Sequence, residues 1–261
     1  MNLDLTGKRA LVCGSTQGIG KAAAIELALL GADITLLARD EEKLKDTLQD
    51  IPDHGSLGHH YLVADFSDPD NLKLVIADYV SENQIDILVN NTGGPPAGPA
   101  VEATIAEYLM AFNSHLICNQ ILVQAVLPRM KENGFGRIIN VISTSVKTPL
   151  RGLGVSNTIR GAVASWAKTI STELGPYGIT VNNVLPGFTR TSRFESLRSS
   201  ISSKENKPEE EVEKEMVKDI PAGRIAEAPE IGAAIAFLAS PAASYINGIN
   251  LPVDGGKTPS L

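Results

Sequence analysis

Two cysteines in 261 residues cannot build a disulfide framework, and Cys13 and Cys118 show no metal-ligand spacing, so no metal site is expected. Cys13 lies in an apolar run and Cys118 in a helical segment; both read as buried free thiols, which suits a reducing cytoplasm. Positive charge is also short. With 23 Lys and Arg against 30 Asp and Glu the net charge is −7, which argues against nucleic acid or an anionic membrane surface as the main partner. No apolar run reaches the length expected of a membrane span. The start, MNLDLTGKRALVCGS, carries an early acidic residue and a glycine-rich turn straight after a short apolar run, unlike a signal peptide. With no linker, internal repeat or low-complexity tail in view, residues 1–261 read as a single domain.

What is present is alternation. Short β-branched or aliphatic runs at Arg9–Cys13, Asp33–Leu37, His60–Val63, Asp86–Asn90, Arg137–Ile142 and Thr180–Leu185 read as strands. Between them, segments of helical period run over about Gly18–Leu30, Glu41–Gln49, Pro69–Glu82, Thr104–Met130 and Gly154–Leu174. Strands alternating with helices mean βαβ units, hence an α/β fold with a parallel sheet covered on both faces. Residues 189–220 break the rhythm with a polar, heavily charged stretch. It reads either as a solvated helix face or as a lid, because it leaves the carboxyl end of the sixth strand, where α/β sheets bind ligands.

The first strand–helix junction carries CGSTQGIG, in which Gly14, Gly18 and Gly20 allow a tight turn and close backbone approach to a diphosphate. Ser15, Thr16, Gln17 and Ile19 complete that turn, and the helix behind it presents its N-terminal dipole to the phosphates. Placed after a strand in the first βαβ unit, the turn marks a nicotinamide dinucleotide site on a Rossmann-type domain.

From Lys8 to Gly256 the chain resembles the short-chain dehydrogenase/reductase family, and within it the 3-oxoacyl-acyl-carrier-protein reductase-like members. CGSTQGIG resembles the family's TGxxxGxG turn, and VNNTGG at Val89–Gly94 its NNAG motif, with Thr92 in place of alanine. LGPYGITVNNVLPGFTRT at Leu174–Thr191 and INGINLPVDGG at Ile246–Gly256 are similar to its later segments. The resemblance implies a doubly wound, mostly parallel sheet of about seven strands. It also implies that Asp65 and Phe66 flank the adenine, that Asn91 lies near the adenosine ribose, and that Thr189 and Thr191 lie near the nicotinamide or diphosphate. Subunit-pairing helices in the family imply a homotetramer or homodimer. At the end of the second strand, where NAD-preferring enzymes carry an acidic residue, this chain has Ala38 followed by Arg39. A guanidinium can pair with a 2′-phosphate, so NADP(H) is favoured over NAD(H); a solvated Arg39 with Asp40 close by keeps NAD open.

The family reduces carbonyls with a serine, a tyrosine, a lysine four residues on and a helical asparagine. By the resemblance Ser143 fills the serine position and Asn113 the asparagine position, but the tyrosine position holds Ser156 and the lysine position Arg160, so YxxxK becomes SxxxR. An aliphatic hydroxyl is a far weaker acid than a phenol, and a guanidinium stays charged, so the usual proton donor is missing while Arg160 can still hold the nicotinamide ribose. Lys147 reads as a surface loop lysine or as a substitute acid. Tyr177 reads as structural, and Tyr108 and His115 read as packing or interface residues. Three functions remain open on this sequence. One is an NADP-dependent oxidoreductase acting on a small carbonyl or alcohol through an atypical site. Another is a cofactor-binding pseudoenzyme acting as sensor or assembly partner. The third is an epimerase or dehydratase built on the same site.

Overall fold

The computed structural model describes residues 1–53 and 58–260. Its strands are β1 (Arg9–Cys13), β2 (Asp33–Ala38), β3 (His60–Val63), β4 (Ile87–Asn90), β5 (Gly136–Val141) and β6 (Ile179–Pro186), within two residues of the sequence-based bounds. The main helices alternate with them: α1 (Gly18–Leu29), α2 (Glu41–Gln49), α3 (Pro69–Glu82), α4 (Ile105–Phe112), α5 (Cys118–Glu132) and α6 (Gly154–Leu174). Beyond β6 come β7 (Thr189–Arg190), α7 (Ser192–Glu205), α8 (Glu209–Val217), β8 (Ala226–Glu227), α9 (Ala228–Ala239) and β9 (Asn250–Val253).

The strand order is β3-β2-β1-β4-β5-β6-β9, and every pairing in this seven-stranded sheet is parallel. The order reverses between β1 and β4, which opens a crevice beyond their carboxyl ends. Two apolar layers cover the sheet, one built with Leu27, Ile231 and Ile235 from α1 and α9, the other with Ile76, Leu122 and Ala167 from α3, α5 and α6. Gly232 of α9 lets that helix close on α1, since a Cβ there would stand 2.9 Å from the Ala22 carbonyl oxygen. Cys13 and Cys118 are both fully buried and unpaired, as expected, and burial pushes the Cys118 thiol up to about 12.

Neither α9 nor β9 stands out in the sequence. The strand is four residues long and contains Pro252, which an edge strand tolerates because one side of it has no ladder partner. The long helix differs too. Thr104 caps it with Glu107 in a reciprocal box, but at Asn113–Ile117 the helix widens into one π turn before continuing as α5. Taken as one rod, residues 105–133 have the length and mean hydropathy, 1.2 over the best window, that would suit a membrane span, which corrects the sequence-based exclusion. A window average tolerates the isolated polar residues that interrupt an unbroken apolar run. The rod packs as a core helix, burying Cys118, Leu122, Val126 and Met130.

The charged stretch folds into α7 and α8, closed at its base by the β7–β8 ladder and centred on buried Phe194, Val212, Ile220 and Ile225. Arg190 and Arg198 organise its surface, bonding Glu213 at 2.8 and 2.6 Å. Its charges therefore form a network over a small core of its own.

Four asparagines cross the sheet in register. Asn90 donates to Asn140 at 2.8 Å, Asn140 to Asn183 at 2.9 Å, and Asn183 to Asn250 at 2.8 Å. Asn140 is fully buried in the middle of this ladder. Asn140→Ala strands the Asn90 amide and the Asn183 carbonyl together and should cost about 2–4 kcal/mol in a denaturant titration. A loss under about 0.5 kcal/mol would show that the ladder contributes nothing net.

Candidate active site

The glycine turn lies at the crevice. Gly14 and Gly18 adopt positive φ, at 58° and 56°, which only glycine does without strain. Gly20 presses on Gly14, where a Cβ would collide with the carbonyl oxygen. Asn91 fastens this turn from β4, its Nδ2 donating to the carbonyls of Cys13 at 3.2 Å and Gly14 at 3.3 Å. The Asn91 amide therefore holds the turn. Asp40, Asp68, Thr104 and Thr191 cap α2, α3, α4 and α7 with their side chains, whereas Gln17 leaves the first amides of α1 uncapped. A positive helix end behind a turn without Cβ atoms is a fitting cradle for a dinucleotide diphosphate. Ser15 is fully buried beneath the turn, Thr16 accepts from Thr47 at 3.3 Å, and Ile19 packs against the core.

At the adenosine end Arg39 is exposed, with a loose 3.9 Å ion pair to Asp65. Asp40 is occupied as the cap of α2 and as the partner of Lys43 at 2.9 Å, so the nearest carboxylate to the missing acidic position is already engaged. Phe66, expected to flank the adenine, is 8 % exposed, and its ring packs into the core. Asp65 stays half open and accepts from the Ser67 amide at 2.9 Å.

At the other end of the crevice one small cavity is lined by Asn90, Thr92, His115, Asn119 and Arg160. Ser143 closes the end of β5, its Oγ accepting from the Ser145 amide at 3.1 Å, which leaves the hydroxyl proton free to turn outward. Ser156 and Arg160 lie one turn apart on α6, both 8 % exposed. Among the described residues the Ser156 hydroxyl has no hydrogen-bond partner. Arg160 donates from Nη1 to the Val141 carbonyl at 2.8 Å, and its Nε is buried without an acceptor. Burial, with Arg193 nearby, pushes the Arg160 guanidinium down to about 10, so it is still a cation at neutral pH.

The helical partner of this group is His115. Asn113 is exposed, on the outside of the π turn, and does not line the cavity; the assignment of the helical amide to Asn113 is corrected accordingly. The extra residue of the π turn rotates the helix face, bringing His115, 3 % exposed, into the cavity instead. Burial above all, then Arg160 and Arg193, pushes its imidazole down to about 2, so it is neutral at physiological pH. A histidine at ordinary helical spacing gave no sign of this, and only the π turn reveals it. Lys147 sits half-buried at the end of the short turn Thr144–Val146 and does not line the cavity. Tyr177 lies on the surface under Lys131 at 4.4 Å, as a structural residue would.

Thr189 is buried at the start of β7, donating to the Gly187 carbonyl at 3.1 Å, and Thr191 packs on Gly18 of the turn. Two residues on, Arg193 reaches back across the crevice and donates to the carbonyls of Gly94 at 3.0 Å and Pro95 at 3.1 Å. No sequence signal singled out Arg193, because the loop it grips is remote in the chain.

Residues 14–258 match the family model described as enoyl-(acyl carrier protein) reductase. The NADPH-dependent reductase BacG of Bacillus subtilis is 29 % identical, covering 98 % of this chain and all of that protein. The 3-oxoacyl-[acyl-carrier-protein] reductase FabG of Haemophilus influenzae is 33 % identical over 97 % of this chain and 98 % of its own length. Among solved structures, L-sorbose reductase of Gluconobacter frateurii, complexed with NADPH and L-sorbose, superposes with a TM-score of 0.93 at 27 % identity over the whole of both chains. With the parallel sheet, the glycine turn and a family match spanning nearly its whole length, the chain belongs to the short-chain dehydrogenase/reductase family of oxidoreductases.

Proposed function

We propose that this protein is an NADP(H)-dependent oxidoreductase that moves a hydride between the nicotinamide and a small carbonyl or alcohol substrate, through a site in which Ser143, Ser156, Arg160 and His115 replace the family's usual set. The observation that carries it is the uncapped α1 behind the glycine turn, with Asn91 both fastening that turn and lining the small cavity beside Arg160. NADP(H) is supported by exposed Arg39 beside an engaged Asp40, and by relatives described as NADPH-dependent or complexed with NADPH. The substrates named for relatives, 3-oxoacyl-acyl-carrier-protein, gluconate and L-sorbose, share a carbonyl or secondary alcohol. The α7–α8 segment serves as the lid, held shut by Arg193. Exposed Ile105, Leu109 and Met110 on α4 support assembly as a homotetramer or homodimer. Two buried free thiols suit the cytoplasm.

The residues divide the work as follows. Bound NADPH supplies the hydride. Ser143, oriented through the Ser145 amide, donates its hydroxyl proton in a hydrogen bond to the carbonyl oxygen. Arg160 would hold the nicotinamide ribose and stabilise negative charge gathering on that oxygen, which a buried cation does strongly. Ser156 is too short and too weak an acid for the phenol's task; the proton that completes the alcohol would come from solvent water, with Ser156 and neutral His115 as hydrogen-bonding relays. A second function, cofactor binding without turnover, is favoured by the turning of Arg160 to Val141 and by the unbonded Ser156 hydroxyl.

NADPH oxidation against a panel of small ketones, keto sugars and oxo acids should give measurable turnover, and Ser143→Ala should lower kcat/KM about a hundredfold with NADPH affinity unchanged. A native chain that is silent on the whole panel, yet gains turnover with Ser156→Tyr plus Arg160→Lys, would establish the binding-only function instead. In fluorescence titrations NADPH should bind about tenfold to a hundredfold more tightly than NADH, the worth of a charge-assisted phosphate contact, and Arg39→Ala should erase the gap. Equal affinities for the native chain would overturn the NADP assignment.

His115 adds a pH signature. Its folded value, about 2, lies below the ordinary 6.5, so below pH 6.5 the unfolded chain takes a proton that the folded chain refuses. Its contribution to stability is complete above that pH and is lost as pH falls, by up to about 1.4 kcal/mol per pH unit. Denaturation between pH 7.5 and 4.5 should show a steeper loss for the native chain than for His115→Gln, by about that slope. Parallel profiles would show that the buried imidazole is protonated.

A further inference from the structure

The helix that carries Ser156 begins without a cap of its own. Leu153 stands at the N-cap of α6 with no side-chain bond to offer, where α2, α3, α4 and α7 each have one. The missing bond comes from a distant loop: the Gly154 amide donates to the Gly98 carbonyl at 3.0 Å, and the Gly98 amide donates to the Gly152 carbonyl at 2.7 Å. Gly98 and Leu153 thereby form a parallel bridge, and Gly154 lies so close that a Cβ there would collide with the Ala100 backbone. Ser156 is the third residue of this helix, in the turn that the bridge holds. The other end of the same loop is held as well. Arg193 of α7 donates to the carbonyls of Gly94 at 3.0 Å and Pro95 at 3.1 Å. Between the two holds the chain reads Gly94-Pro95-Pro96-Ala97-Gly98. Consecutive prolines fix φ, and the first is confined to extended backbone by the second, so the segment is a stiff link. Such a link passes a displacement from one end to the other, where a glycine-rich one would absorb it. A cavity of about 180 Å³ behind it, bounded by Pro96, Glu102, Glu107 and Val155, leaves the link room to shift.

We propose that Arg193 is a positioning residue: its grip on Gly94 and Pro95 sets, through the proline link and the Gly98 bridge, the first turn of α6 and with it the place of Ser156. The proposal rests on the assignment of Ser156 to the reaction site made above. With Arg193 engaged, the link is fixed at both ends and the start of α6 is held. With Arg193 released, the link follows α7 and the Gly98 bridge loosens. A guanidinium suits the grip because its fork of donors can take two neighbouring carbonyls at once.

Residue-resolved amide hydrogen exchange on the ligand-free full chain tests this, because the Gly98 and Gly154 amides report the bridge directly. Arg193→Gln should speed the exchange of both about tenfold, as the loss of charge-assisted bonds requires, with the amides of β1 and β5 unchanged. Arg193→Lys keeps the charge and a donor and should recover part of the protection. Arg224→Gln, which removes a surface guanidinium bonded to Glu230, should change neither amide. Pro96→Gly, at an exposed position, leaves both sets of bonds possible and removes the stiffness. In that background Arg193→Gln should add less than about threefold, the mark of a coupled pair. With a substrate that supports turnover, Pro96→Gly should lower kcat about tenfold and leave KM and NADPH affinity unchanged, as misplacement of a reacting group does. Gly98 and Gly154 exchange that Arg193→Gln leaves within about twofold of native would overturn the proposal. So would an Arg193→Gln effect of full size in the Pro96→Gly chain, or a rise spread equally over β1 and β5. Exchange is read without cofactor or substrate, so an inert chain with a coupled link loses the oxidoreductase assignment alone, and an active chain with an uncoupled link loses this proposal alone.

Discussion

The contact between the end of β4 and the turn after β1 is the one on which the site depends. Asn91 reaches across from β4 and takes the carbonyls of Cys13 and Gly14, while Gly20 of α1 presses on Gly14 from the other side. That three-way closeness leaves no room for a Cβ, so glycine is required there by space as well as by torsion angle. It also sets the switch point of the sheet, because β1 and β4 are the strands at which the order reverses. With the turn pinned, the first amides of α1 stand open at the crevice. The dinucleotide cradle is therefore a consequence of strand packing.

Across the same crevice, the asparagine ladder carries polar groups through the apolar layer of the sheet from β9 to β4. Its end at Asn90 opens into the cavity that His115 and Arg160 share. Each rung satisfies its neighbour, which is what makes polar side chains tolerable at this depth. The last acceptor, Asn90 Oδ1, is buried and unpaired at the cavity's edge.

The chemistry of the centre follows from charge held in a dry place. Burial drives the His115 imidazole neutral and brings the Arg160 guanidinium down, yet leaves it charged. The strongest electrostatic actor in the cavity is a fixed cation, and the polar groups lining it with Arg160 are Asn90, Asn91, Thr92, His115 and Asn119. Such a centre favours stabilising negative charge on a bound molecule over supplying an acidic proton. Arg193 of α7 adds a second cation that pushes Arg160 further down.

The α/β alternation and the glycine turn could both be read from the chain itself. They depend on local periodicity and on residue types that neighbours in sequence determine; α6 spans Gly154–Leu174 in both sequence and structure. Phe66, by contrast, is an aromatic at an adenine position until packing turns its ring inward. Asn113 and His115 differ by two places, and which of them enters the site depends on a π turn that no spacing announces. Arg193 acquires its meaning only from Gly94 and Pro95, about a hundred residues away in the chain, and the charged stretch shows its small core only once Phe194 meets Ile220 and Ile225. Sequence alone determined the fold class and the kind of cofactor cradle, because backbone periodicity and glycine sterics are local. Which side chains face the substrate was decided by tertiary structure, since helix rotation and long-range contact set the direction of a side chain.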